Sequence, residues 1–372
     1  MLMQGYLQAY ATRYVMLTLL ILSSSSSQAQ TQHRLAIRGV YGGFPKEILD
    51  RGKTLDDYGI NAVWIGSDGL SPDLVKTLHS KGVKIFAEFN TMHVSGYLKD
   101  HPDASPVGVD GKICPASDGW QGICPTHQGY RIQRMDAYRK ALKDFDIDGI
   151  WLDYHHSHAS WEQAEPNMPD TCFCERCLTL FEKSTGILVR SPRPGDTAQT
   201  RLETAFARWV QWRCDIFTSW VKEFAAIRDE VRPKALLGTF HNPWATAERN
   251  GAIRTKLAID LISQKPFIDV FSPMPYHARF GHSKDLGWIG KSITDLGIEL
   301  GIKGTSDERV KIWPIVQLTE WGEPVPLDQI KSVLEEGARP PASGLTIFVW
   351  GALPKDWPKV ETLGEFYRSQ KP

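Results

Sequence analysis

Short runs of Val, Ile, Leu and aromatic residues alternate along the chain with segments whose apolar positions fall three and four residues apart. The runs cover residues 35–41, 61–68, 83–90, 148–154, 235–242, 268–276, 310–319 and 345–350. Each reads as a strand buried on both faces, the mark of a parallel sheet covered by helices. Helical spacing fills the segments between them, at 45–58, 72–80, 130–144, 202–231, 253–264, 283–300 and 327–337, with a last one at 359–368. The clearest is Leu202, Phe206, Trp209, Ile216, Trp220, Phe224, Ile227 and Val231, a single apolar stripe. Eight strand–helix repeats predict the α/β class and a single (β/α)8 TIM barrel. A doubly wound open sheet would share the alternation, but no Gly-rich phosphate turn follows the first strand.

Two connections are long, 91–129 after strand three and 155–200 after strand four. Both leave the C-terminal ends of strands, where barrels carry their active sites, and long loops in a compact domain are usually functional. The first 29 residues are expected to stand apart as a signal peptide, leaving 30–372 as the barrel domain. Arg13 supplies the positive charge, residues 15–22 a short apolar core, and the serine run a small-residue exit at Gln28-Ala29. That core is too short to span a bilayer, so a secreted or periplasmic location and no stable membrane span are expected.

Composition narrows the partners. Lys plus Arg equals Asp plus Glu at 43 each, with no basic block, which argues against nucleic acid. The 13 Trp point instead toward carbohydrate, because aromatic faces suit the apolar C–H faces of sugar rings.

Alternation along the strands selects the side chains that face the barrel interior. In strand four these are Gly149, Trp151, Asp153 and His155; in strand three, Glu88 and Asn90. Arg38 in strand one, Asp68, His241, Asn242, Tyr276, Gln317 and Trp350 complete a rim of candidate substrate-binding groups, together with His155 and His156. Glycosidic cleavage needs one carboxyl to protonate the leaving oxygen and another to attack the anomeric carbon or activate water. Asp153 is expected to be the nucleophile and Glu320 the acid/base, with Glu88 in reserve. Strict alternation leaves Glu320 outside the inner face, so a bulge would have to re-aim it. The function expected is an exported glycoside hydrolase acting on oligo- or polysaccharide, without a catalytic cofactor. The alternatives are a barrel that binds glycans without cleaving them and a metal-dependent hydrolase using His155 or His156. Oligomeric state is not legible in the sequence.

Three of the six cysteines fall in TCFCERC, as Cys172, Cys174 and Cys177. With Cys124 on the preceding long loop they could close a structural zinc site. An exported protein could equally hold disulfides, Cys114 with Cys124 and the cluster with Cys214. Either arrangement would staple the two long loops together.

The stretch ICPTHQGYR, FDIDGIWLDYHH and CFCERCLTLFEK resembles glycoside-hydrolase-like barrels and the zinc-bearing part of family-forty-two β-galactosidases. The resemblance implies a structural zinc on Cys172, Cys174, Cys177 and an upstream Cys124. It departs at the end of strand four, where those β-galactosidases carry Asn-Glu and this chain carries Asp153-Tyr154. An aspartate there is similar to α-fucosidases and α-galactosidases, which implies a retaining mechanism with Asp153 as nucleophile.

Overall fold

A strand with apolar side chains on both faces needs cover on both, and a closed parallel sheet wrapped in helices supplies it. The computed structural model describes residues 34–189, 204–304 and 308–371, so the expected signal peptide lies outside the described residues. The first half of the chain holds β1 (Ile37–Tyr41), α1 (Lys46–Asp50), β2 (Ala62–Gly66), α2 (Pro72–Ser80), β3 (Lys84–Asn90), α3 (Gln128–Asp144), β4 (Gly149–Asp153) and α4 (Glu175–Thr185). The second half holds α5 (Phe206–Val231), β5 (Leu236–His241), α6 (Glu248–Thr255), α7 (Leu261–Gln264), β6 (Val270–Pro273) and α8 (Gly287–Leu300). It ends with β7 (Lys311–Ile312), β8 (Ile315–Gln317), α9 (Leu327–Gly337), β9 (Gly344–Phe348) and α10 (Trp357–Ser369). No helix among the described residues is long and apolar enough to cross a membrane.

All pairings are parallel, in the order β7-β6-β5-β4-β3-β2-β1-β9-β8. The expected seventh strand is present as two pieces, β7 against β6 and β8 against β9, and through them the sheet closes. Pro314 marks the switch, since it has no N–H to donate. Before it, Trp313 N donates to the Phe271 carbonyl (3.0 Å); after it, Thr346 N donates to the Pro314 carbonyl (2.9 Å). The fold is thus a (β/α)8 barrel.

The barrel floor is aromatic. Trp64, Phe86, Trp151 and Trp313 meet with centroids 4.5 to 6.4 Å apart. Four large rings fit inside a narrow barrel only if neighbouring inward positions are empty, and glycine supplies that emptiness. A Cβ on Gly39 would stand 2.3 Å from the Trp64 ring, one on Gly238 2.1 Å from Trp151, and one on Gly344 2.8 Å from Trp313. Gly238→Ala is therefore expected to destabilise by overpacking, about 1–3 kcal/mol, visible as a lowered melting temperature. Trp151→Phe in the same chain should recover part of the loss; an unchanged melting temperature in Gly238→Ala would refute this packing argument.

Three helical expectations change. The segment 45–58 is a short α1 and a separate 3-10 turn at Asp56–Tyr58, interrupted where Gly52 takes φ of 71°. The segment 253–264 breaks at Ala258 (φ 59°), and Asp260 then caps α7 by accepting from Ser263 N. The loop after β4 contains a helix of its own, α4, which follows directly on the cysteine motif.

Candidate active site

β3 and β4 run in register with Glu88 beside Trp151 and Asn90 beside Asp153. Because Trp151 fills the floor, Asp153 stands one layer above it, where the barrel opens. The Asp153 carbonyl accepts from Thr91 N (2.9 Å) and Thr91 Oγ1 (2.8 Å), so its backbone is fixed at the strand end. The chain then turns sharply. Tyr154 takes φ of 51°, a left-handed conformation uncommon for a residue with a side chain, and its N–H turns back onto Asp153 Oδ1 (2.9 Å). Glu88 accepts the Tyr41 hydroxyl at 2.7 Å and hydrogen-bonds the Asp153 carboxyl.

Above these groups lies a cavity of about 330 Å³. Rings dominate its wall: Tyr41, Trp120, Tyr154, Phe240, Tyr276, Trp321 and Phe348. They brace one another, as in Tyr276–Phe348 at 4.7 Å, Trp120–Tyr154 at 4.8 Å and Trp321–Phe348 at 5.3 Å between centroids. Two carboxyl groups share this wall, Asp153 and Glu162. Burial, reinforced by the charges of Glu88 and Glu162, pushes Asp153 well above the usual carboxylate range. Glu162 is raised to about 7, chiefly by burial, with Arg279 opposing and Glu88 adding. Burial also raises Tyr41, Tyr154 and Tyr276, each with a further push from the carboxylates.

Glu162 was not among the residues that strand alternation selects, because it belongs to the long loop after β4. Its place is set by its neighbour. Trp161 packs against Trp244 (6.0 Å) and Phe280 (6.1 Å) and donates its Nε1–H to His156 Nε2 (2.9 Å). His156 can accept there because its Nδ1–H donates to the Ser157 carbonyl (2.7 Å). A neutral imidazole results, and burial lowers its pKa to about 4. The signal available in sequence was an acidic residue beside Trp161 on a loop rich in His and Trp.

The remaining expected site residues divide. Asp153 and Tyr276 line the cavity, with Glu88 next to Asp153 just outside its wall. Glu320 does not: its side chain is 65% exposed and pairs with Lys359 Nζ on α10 at 2.8 Å. No bulge re-aims it, since β8 ends at Gln317 and the chain leaves the inner face there. Gln317 is wholly buried, but its amide holds backbone, accepting from Arg279 N (3.1 Å) and donating to the Thr319 (2.8 Å) and Trp321 (2.9 Å) carbonyls. His155 faces α5, with Nε2 donating to the Phe217 carbonyl (3.0 Å) and Nδ1 against Thr91 Oγ1 (3.3 Å). His155 and His156 thus engage both ring nitrogens with protein partners. On β5 the inner face is Gly238 and Phe240, which puts His241 on the outer face, its Nδ1 donating to the Asn242 carbonyl (2.7 Å). Asn242 is fully buried and accepts from Trp244 N (3.3 Å). Asn90 closes a turn with His93, donating to its carbonyl (2.7 Å) and accepting from its N–H (2.9 Å). Asp68 is exposed on the 3-10 turn after β2. Trp350 donates to Glu47 Oε2 (2.9 Å), away from the cavity. Arg38 sits early in β1, bonded to the Gly59 (2.8 Å) and Leu35 (2.6 Å) carbonyls, toward the opposite end of the barrel.

Beside the site, the sulfurs of Cys124, Cys172, Cys174 and Cys177 lie within 4.8 Å of one another, with Cys124 3.6 Å from both Cys174 and Cys177. The six cysteines are free thiols. Hydrogen bonds from Cys172, Cys174 and Cys177 pull the Cys124 thiol well below its ordinary pKa, and Arg176 Nη1 stands 3.7 Å from its sulfur. Four soft donors in one cluster can bind a metal, and they join the loop after β3 to the loop after β4.

No family model and no curated protein matches the sequence. Solved structures match its fold. The glycoside hydrolase domain of PgaB (BpsB) from Bordetella bronchiseptica superposes with a TM-score of 0.66 at 12% identity, covering 88% of this chain and 98% of that one. A β-galactosidase from the Antarctic haloarchaeon Halorubrum lacusprofundi gives 0.62 at 12% identity, over 90% of this chain and 58% of that one. The α-L-fucosidase isoenzyme 2 of Paenibacillus thiaminolyticus gives 0.55 at 12% identity, over 89% and 49%. This chain spans about half the length of the last two. The likeness is one of fold.

Proposed function

We propose that the protein is an exported, retaining glycoside hydrolase in which Asp153 is the nucleophile and Glu162 the acid/base. One observation carries this reading: Asp153 and Glu162 face a single cavity walled by aromatic rings, while Glu88 hydrogen-bonds Asp153. An acid that works near neutral pH must still hold its proton there, and Glu162 at about 7 does. A nucleophile must be anionic, yet two adjacent carboxylates repel. Burial and that repulsion raise Asp153, so its ionised carboxylate is a stronger base than a free one. In its ionised form Asp153 attacks the anomeric carbon as Glu162 protonates the departing oxygen. Glu162 then takes a proton from the water that breaks the glycosyl–Asp153 bond. The rings receive the apolar faces of an oligo- or polysaccharide. The sequence features of residues 13–29 support export. Zinc is proposed at the cysteine cluster, because an S4 tetrahedron with Zn–S of about 2.3 Å has edges near ~3.8 Å, close to the 3.6 Å spacings observed.

The test is a panel of chromogenic glycosides given to wild type, Glu162→Gln and Glu320→Gln. Glu162→Gln is expected to lose about 10²–10⁴-fold in kcat/KM on substrates with poor leaving groups, and Glu320→Gln to match wild type. Wild-type kcat/KM should fall as pH rises through about 7, where Glu162 loses its proton. The first-formed anomer, followed by NMR, should retain configuration. Glycan binding without turnover across the panel would overturn the hydrolase reading in favour of a binding barrel.

A further inference from the structure

The loop that carries Glu162 has no strand or helix of its own around that residue, so beyond the packing of Trp161 a bond from another loop must hold the acid at a fixed height above Asp153. The structure assigns that task to Arg279, on the turn after β6, as the positioning residue of Glu162; the inference rests on Glu162 being the acid. Arg279 Nε donates to the Glu162 carbonyl, and Nη2 donates to Asp118 Oδ2 at 2.7 Å. The guanidinium lies 4.6 Å from the centroid of the Trp321 ring, and the Arg279 backbone N–H is held by Gln317 Oε1 at 3.1 Å. One side chain, only 18% exposed, therefore ties the loop after β4 to two others.

Each tie reaches the cavity wall. Asp118 begins a tight hairpin in which Ser117 and Trp120 exchange backbone hydrogen bonds (3.0 and 2.8 Å), and Asp118 and Gly119 take φ of 51° and 81°. That geometry matches a type I′ turn, which fixes the direction of the residue after it. The residue is Trp120, a wall of the cavity, as is Trp321 beneath the guanidinium. Arg279 thus sets the acid and two facing rings relative to one another. The planar, forked guanidinium suits this task, because it donates in several fixed directions at once where an ammonium is a single point charge.

Arg279 also acts on the charge of Glu162. The groups facing Glu162 are Glu88 from β3, Asp153 from the end of β4, Tyr154 from the turn after it, Tyr276 from the turn after β6, and Arg279 itself. Burial and the Glu88 charge raise Glu162, while Arg279 pulls it down. Without that opposition the acid would keep its proton to higher pH and release it less readily.

Arg279→Lys and Arg279→Met separate the two effects. The lysine keeps a positive charge and loses the fork; the methionine loses both. Both variants are expected to lose about 10–10²-fold in kcat, the scale of a misplaced catalytic group. The alkaline limb of the pH profile should stay near wild type in Arg279→Lys and move upward in Arg279→Met. ¹³C NMR titration of the Glu162 carboxyl should show the same shift with no substrate present. Acrylamide quenching of tryptophan fluorescence should rise in both variants as Trp120 and Trp321 loosen. Wild-type kcat with an unmoved Glu162 titration in both variants would overturn the assignment. Should wild type hydrolyse no glycoside, the hydrolase reading fails on its own, and the titration and quenching measurements still decide the role of Arg279.

Discussion

Replacing Asp153 by Asn is expected to abolish turnover and, at the same time, to raise the melting temperature. The first effect follows from chemistry. An amide does not attack the anomeric carbon as a carboxylate does, so kcat should drop by about 10³-fold or more. The second follows from electrostatics. Asp153 is buried to 8% exposure beside Glu88, with the Glu162 charge acting on it as well, and its pKa is raised accordingly. A carboxyl with a raised folded pKa contributes stability that is complete below its unfolded value, about 3.9, and lost as pH climbs through the folded value. At neutral pH and above, the wild-type fold carries that penalty and Asp153→Asn does not. Glu162 adds a penalty of the same sign between about 4.3 and about 7. The melting temperature of Asp153→Asn should therefore match wild type near pH 4 and exceed it increasingly toward pH 8. Each kcal/mol relieved is worth about 2–4 °C in a large domain. A variant that is inactive but no more stable at pH 8 would show that the carboxylates do not repel as described. One that remains active would remove Asp153 from the chemistry altogether.

What the sequence makes legible ends where regular strand geometry ends. Period-two alternation places Glu88 and Asp153 on the inner face, because both lie within strands and their neighbours Phe86 and Trp151 fill the floor below them. The same rule places His155 inward and fails by a single residue: the positive φ of Tyr154 takes the chain off the strand, and His155 packs on α5 instead. Strand five fails by parity, since Gly238 under Trp151 fixes Phe240 as the inward residue and moves His241 outward. Glu320 fails because β8 stops at Gln317, and the exposed Glu320 carboxylate pairs with the buried Lys359 on α10. Glu162 depends on Trp161, His156, Phe280 and Arg279, which come from separate loops and meet only in the folded barrel. Loop side chains of this kind have no periodicity to read. The cysteine cluster is the exception: C-x-C-x-x-C records a local geometry, and Cys124, expected as its partner from its place on the preceding long loop, lies in the cluster.

Loss of that cluster should cost more stability than any other single change outside the barrel floor. Cys177 is buried at 1% exposure at the start of α4, and its sulfur meets both Cys124 (3.6 Å) and Thr126 Oγ1 (3.1 Å). The Cys124 amide donates to the Ala104 carbonyl (2.8 Å) and Phe173 N donates to the Val107 carbonyl (2.8 Å), so the four sulfurs sit where the two long loops cross. If zinc closes the site, purified protein should carry one zinc per chain. Cys177→Ser should then lose the metal and, with it, on the order of 4 kcal/mol, or about 8–16 °C in melting temperature. Activity should fall as well, because the same loops present Trp120 and Glu162 to the cavity. Cys114→Ser should leave metal content unchanged, since Cys114 lies outside the cluster. A strong chelator should reproduce the Cys177→Ser melting curve in the wild type, while a thiol reductant alone should have no effect. The reverse pattern, sensitivity to reductant and indifference to chelator, would mean that the thiols pair as disulfides and that zinc has no place in the fold.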